Sequence, residues 1–126
     1  MSDWFARPIL CVADVASATT FYTKKLAFKE SWRHVEDGEP LVVQVERAGC
    51  DLILSAQWPE RVGKALIFIS LDPPALEAAR AEFEANGVDI KDGRWGYRLM
   101  IIDDLDGNQL LFNYPADADA QPPEGR

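Results

Sequence analysis

Gly49-Cys50-Asp51-Leu52-Ile53-Leu54 is echoed by Gly107-Asn108-Gln109-Leu110-Leu111-Phe112, and the two glycines are 58 positions apart (49 and 107). Asp14 and Asp72, which each precede a segment of helical periodicity, are also 58 apart. A glycine that closes a turn before an apolar run marks the start of a strand. An aspartate before a 3.6-residue apolar repeat marks a helix N-cap. Two different signals at one spacing make the chain a duplication of one structural unit.

Working outward, the first unit begins with a strand over 8–12 that leads to Asp14, after which Ala18, Phe21, Tyr22 and Lys25/Leu26 recur at helical spacing. Three strand-like runs follow, at 29–35, 41–47 and 51–56, separated by Asp37-Gly38-Glu39-Pro40 and by Ala48-Gly49. The second unit repeats the order. A strand over 64–71 precedes Asp72-Pro73-Pro74, which opens a helix whose apolar face is Leu76, Ala79 and Phe83 and which Asn86-Gly87 stops. Strands over 88–91, 95–102 and 109–114 complete it. The predicted fold is α+β: two βαβββ modules, about 5–57 and 64–114, forming an open barrel around a shared cavity. Residues 115–126, rich in Ala, Asp, Pro and Gly, read as a disordered tail.

The 126 residues are 48% hydrophobic and 27% charged, enough for one domain with its own core and no disulfide or metal staple. Thirteen basic and 21 acidic residues give a net charge of −8. That balance repels phosphate backbones and anionic headgroups, so no nucleic-acid or membrane partner is expected, and cationic ligands are favoured. No apolar run approaches the ~20 residues of a membrane span, and Met1-Ser2-Asp3-Trp4 lacks signal-peptide character, so a cytoplasmic location is expected. Cys11 and Cys50 lie in apolar runs and read as reduced thiols.

Little in the chain suggests metal or nucleophilic chemistry. His34, the sole histidine, sits in Ser31-Trp32-Arg33-His34-Val35 and reads first as a hydrogen-bonded edge residue, then as a ligand contact, and least as a metal ligand. Asp103, Asp104 and Asp106 read as a turn, with Gly107 at a positive backbone angle and Asp106 or Asn108 bonding the turn amides. There is no nucleophile elbow or phosphate-binding glycine loop, and Cys11 has only apolar neighbours. The aromatics say more. Trp4, Trp32, Trp58, Trp95, Tyr97 and Tyr114 are more large rings than so small a core needs. Trp58 lies in a polar loop and Trp95 between Gly93 and Gly96. Rings so placed grip planar or cationic ligands when a cavity adjoins them.

Val12-Ala13-Asp14, Phe21-Tyr22 and Leu26-Ala27-Phe28, together with Trp95-Gly96-Tyr97-Arg98 and Asp104-Leu105-Asp106-Gly107-Asn108, resemble the signature of the vicinal oxygen chelate superfamily. That superfamily includes glyoxalase I, extradiol dioxygenases and the fosfomycin and bleomycin resistance proteins. The resemblance covers about 5–114 and is nearest to the metal-free, bleomycin-resistance-like branch. Ala27 stands where the family has glycine, and Leu105 where it has proline. Carried over, the family's metal-ligand positions fall on Arg7, Ala65, Leu111 and either Ile53 or Ser55, which cannot chelate a divalent ion. The resemblance therefore implies no metal and no cofactor.

Strand alternation about those positions directs Ile9, Cys11, Asp51, Ile67, Ile69, Gln109 and Asn113 into the cavity, and Leu10, Val12, Leu52, Leu54, Leu110 and Phe112 toward the helices. Of these inward residues, Ile9, Asp51, Ile67, Gln109 and Asn113, with Arg7, Trp32, His34, Ile53, Ser55, Trp58, Trp95, Tyr97 and Leu111, make the candidate ligand-binding set. The resemblance implies a binding protein that sequesters a bulky aromatic, cationic compound. It also implies a homodimer, with first-strand exchange hinged at Pro8. The alternative is a lyase, isomerase or dioxygenase-like enzyme of the same superfamily, with Arg7 polarising an oxyanion and His34 or Asp51 moving a proton. A small partner-binding module is the third reading.

Overall fold

A computed structural model describes residues 4–96 and 98–115. Tyr97 and the tail from 116 onward lie outside the described residues. The elements run β1 (Ile9–Cys11), α1 (Val15–Thr20) with a π-helical turn (Phe21–Lys25), β2 (Lys29–Glu36), β3 (Glu39–Arg47) and β4 (Cys50–Ser55). A short 3-10 turn (Pro59–Arg61) then leads to β5 (Leu66–Ile69), α2 (Pro73–Ala85), β6 (Ile90–Arg94), β7 (Arg98–Asp103) and β8 (Gln109–Asn113). The strands form two four-stranded sheets of the same order, β1-β4-β3-β2 and β5-β8-β7-β6. In each, the first and last strands of the module pair in parallel and the other neighbours are antiparallel. The fold is α+β, two βαβββ modules with open sheets.

Local chemistry sets the boundaries. Asp14 has extended backbone, and its carboxylate accepts from the Ser17 amide (3.1 Å) and hydroxyl (2.5 Å). Those bonds hold its pKa below the usual carboxylate value. Asp72 is also extended but makes no side-chain cap; Pro73 and Pro74 set the helical φ there instead. Ala27, at the family's glycine position, holds φ +61, a left-handed conformation that explains why glycine suits the site. The sixth strand runs over 90–94, beyond the expected 88–91, and the seventh starts at Arg98 because Gly96 turns the chain at φ +78.

One apolar cluster joins both modules. Val43, Val45, Leu52 and Leu54 come from the first sheet, Met100, Ile102, Leu110 and Phe112 from the second, and Tyr22, Leu26, Leu76 and Phe83 from the helical segments. The helix-covered faces of the two sheets thus share a core, and their other faces stay open. Polar groups fasten the modules at both ends of this core. Tyr22 Oη donates to Asp104 Oδ2 (2.9 Å), and Asn108 Nδ2 donates both to Asp104 Oδ2 (3.0 Å) and to the Cys11 carbonyl (3.0 Å). Farther along, Arg47 donates to the Leu26 carbonyl and to Glu82 (both 2.6 Å), while Lys25 Nζ donates to the Asn86 carbonyl and Asn86 Nδ2 to the Lys25 carbonyl (3.0 Å each).

The register corrects one part of the face assignment. Ile9 pairs with Ile53, and Phe68 pairs with Leu111, the residue 58 positions after Ile53. Phe68, not Ile67, is therefore the counterpart of Ile9, at an offset of 59. Ile67 and Ile69 pair with Leu110 and Phe112 and pack against the shared core. They face the helices, not the open side, and Leu66 and Phe68 take the open side instead. A one-residue slip reverses every side chain of a strand.

Candidate functional site

The open face of the first sheet gathers six of the predicted residues into cross-strand rows. Trp32 pairs with Gln44, Gln44 with Ile53 and Ile53 with Ile9. The next row runs His34, Val42, Ser55 and Cys11, and the row on the other side runs Lys29, Glu46 and Asp51, which sets Glu46 between a cation on β2 and a like charge on β4. Like charges in directly opposed positions are unfavourable unless a cation lies near them. Neither carboxylate has an ion-pair partner among the described residues. His34 Nε2 lies 3.0 Å from Glu36 at the exposed edge. It shares a row with Ser55, two strands away and four residues from Asp51 along β4, so His34 and Asp51 are roughly 16 Å apart and out of proton-transfer reach of each other.

The open face of the second sheet has Phe68, Leu111, Ile101 and Lys91 in one row and Leu66, Gln109 and Asp103 in the next. Charges here are neutralised. Lys91 Nζ donates to Asp103 (2.7 Å) and Gln109 Nε2 donates to the same carboxylate (2.8 Å), and these two donors hold the Asp103 carboxyl below its ordinary pKa. Asn113 accepts from the Ser70 hydroxyl at 3.1 Å. Phe68 and Trp95 stack with ring centroids 5.2 Å apart and planes 13° from parallel, and remain 42% and 55% exposed.

Other predicted residues lie elsewhere. Arg7 precedes β1 and is exposed, with its guanidinium 5.2 Å from the centroid of the Phe5 ring. Trp58 and Ile9 meet at a cavity of about 280 Å³ between β1 and the linker, lined also by Cys11, Arg61, Lys64 and Ala65. Sequence reasoning missed Phe68, Leu66, Gln44 and Glu46. The last two were legible, because strand alternation across 41–47 puts them on the face of Trp32; the first two were hidden by the slip in β5.

The family's chelate does not fit this chain. Once the β5 register is corrected, the ligand positions are Arg7, Leu66, Leu111 and Ile53 or Ser55. One guanidinium, aliphatic side chains and a hydroxyl offer no set of anionic or imidazole donors. Among the described residues no three His, Cys, Asp or Glu side chains come together.

Known structures share this architecture. TnmS3, an antibiotic-binding protein from Streptomyces sp. CB03234, superposes with a TM-score of 0.70 at 24% identity, over 91% of this chain and 98% of that one. The bleomycin-binding protein of bleomycin-producing Streptomyces verticillus, solved with copper(II)-bleomycin, gives 0.68 at 20% identity over 91% and 99%. A lactoylglutathione lyase from Agrobacterium tumefaciens gives 0.65 at 20% identity over 90% and 95%. No curated protein matches the chain. The family model described as glyoxalase superfamily protein matches residues 4–119. With its paired modules and this match over nearly its whole length, the chain belongs to the glyoxalase, or vicinal oxygen chelate, superfamily.

Proposed function

We propose that this protein sequesters a bulky, aromatic, cationic organic compound, without metal and without turnover, on the open sheet faces of a homodimer. The observation that carries the reading is the Phe68–Trp95 stack, a flat pair of half-exposed rings that a third planar group extends. Trp32 supplies a ring on the other open face, near the carboxylates of Glu46, which also faces Lys29, and of Asp51, and the net charge of −8 draws a cation toward them. The antibiotic-binding and bleomycin-binding proteins among the structural relatives support the same class of ligand.

Tryptophan fluorescence titration with metal-free bleomycin, as a cationic glycopeptide probe, tests the proposal. Saturable quenching with the probe recovered chemically intact is expected. Conversion of the probe, or stoichiometric zinc, iron or manganese in the purified protein, overturns sequestration without metal.

The dimer rests on the exposure of Ile9 and Leu66 on the two open faces, apolar surface that a second copy covers beside the ligand-gripping rings. Within one chain β1 pairs with its own β4 through Ile9–Cys11, directly after Pro8. Strand exchange hinged at Pro8 moves the same register onto the partner's β4 and leaves the pairing unchanged. Light scattering at micromolar concentration is expected to give twice the 14.1 kDa chain mass, and a single 14.1 kDa species rules the dimer out.

A further inference from the structure

On the covered side of the sheets, away from both open faces, a cleft of about 330 Å³ opens where the modules meet. Its walls are Phe28 and Cys50 from the first module and Ile69, Leu71, Phe83 and Phe112 from the second. Phe83 and Phe112 lie with ring centroids 6.0 Å apart. The mouth is edged by small residues. Ala48 and Gly49 form the β3–β4 turn at φ +52 and +86, and Ala75 stands on the first turn of α2. A side chain built at Gly49 meets nothing within 4 Å, so this edge of the mouth is open space.

The polar groups around the cleft are already engaged. Arg47 donates to the Leu26 carbonyl and to Glu82, and its guanidinium lies over the Phe83 ring at 5.6 Å. The Ser70 hydroxyl donates to Asn113. Burial, with a smaller contribution from the neighbouring Asp51 charge, raises the Cys50 thiol pKa. With no unsatisfied charge to receive one, the cleft disfavours ionic ligands. Its size is at the lower end of ligand pockets, and an apolar cavity of about 150 Å³ already holds a benzene.

We propose that this cleft is a second binding site, for one small uncharged aromatic compound of two or three rings, separate from the open-face site. Cys50 and Asp51 are adjacent on β4 and point to opposite faces of the sheet, so the two sites share a strand but no lining residue.

The experiment uses the full chain and the neutral probe N-phenyl-1-naphthylamine. One-site saturable fluorescence enhancement is expected, together with at least a tenfold slowing of Cys50 alkylation by N-ethylmaleimide at saturating probe, read by peptide mass mapping. Ala75→Trp, at the exposed mouth, is expected to weaken probe binding at least tenfold, while Trp95→Ala leaves it unchanged. Lack of saturable enhancement, or unchanged Cys50 alkylation with bound probe, overturns the second site. Loss of probe binding in Trp95→Ala but not in Ala75→Trp places the probe on the open face and overturns it equally. If Ala75→Trp fails to fold, the Cys50 protection measured on the unmutated chain still decides.

Discussion

Replacing Asp104 with alanine is expected to lower unfolding free energy by about 3–5 kcal/mol, the range for breaking a buried charged network. The carboxylate is 6% exposed and accepts four hydrogen bonds: from Tyr22 Oη (2.9 Å), the Asp106 and Asn108 amides (2.9 Å each) and Asn108 Nδ2 (3.0 Å). Asn108, fully buried, also accepts from the Ala65 amide at 2.9 Å and reaches the Cys11 carbonyl. Removing the carboxylate strands a buried phenol and loosens the side chain that joins the first strand of each module. Each orphaned donor costs about 1–3 kcal/mol, against a total stability of about 5–15 kcal/mol for a domain. Urea unfolding checks the loss: the midpoint is expected to fall sharply with little change in slope, whereas an unmoved midpoint shows the network to be energetically idle.

The same pair gives a pH dependence. Burial, and then the Asp104 charge, push the Tyr22 pKa far above the ordinary phenol value. The folded chain therefore keeps a proton that the unfolded chain releases near pH ~10. This contribution to stability is complete below that pH and declines as pH rises through the alkaline range. Tyrosinate absorbance from Tyr22 is expected to appear only with unfolding.

The duplication was legible because its markers are local. The turn glycines at 49 and 107 and the aspartates that precede the helices at 14 and 72 show their chemistry within a few residues. The second module's first strand was not. Leu66-Ile67-Phe68-Ile69 is apolar at every position, so alternation leaves no trace of which side faces the helices. The connection into α2 is also one residue shorter than its counterpart: Cys11 to Asp14 spans three steps, and Ser70, which follows β5 as Cys11's counterpart, reaches Asp72 in two. Carrying the 58-residue offset into β5 therefore turned Ile67 outward on paper and hid Phe68. Asp104-Leu105-Asp106-Gly107-Asn108 is a turn as expected, but the carboxylate that bonds its amides is that of Asp104, not a side chain of Asp106 or Asn108, which reach Ala13 and Ala65 instead. The turn's role as a fastening between modules was beyond local reading. Its partners Tyr22 and Cys11 stand 82 and 97 positions away from Asp104 and Asn108.

The largest expected effect on ligand binding belongs to the ring pair that the slip concealed. Replacing both Phe68 and Trp95 with alanine is expected to raise the dissociation constant for bleomycin about 100-fold, roughly 3 kcal/mol, in keeping with a binding hot spot built on a large aromatic. Each single replacement removes one of two parallel rings, so the singles are expected to sum to more than the double, as coupled neighbours do. Fold stability is a separate matter. Both rings are about half exposed and neither belongs to the shared core, so urea midpoints are expected to change little. Asp51→Asn distinguishes the cationic part of the ligand from the planar part: it removes one carboxylate from the face of Trp32 and is expected to weaken binding more at low salt than at high. An unaltered affinity in the Phe68, Trp95 double variant removes the stack from the site and leaves the open faces with a role in assembly alone.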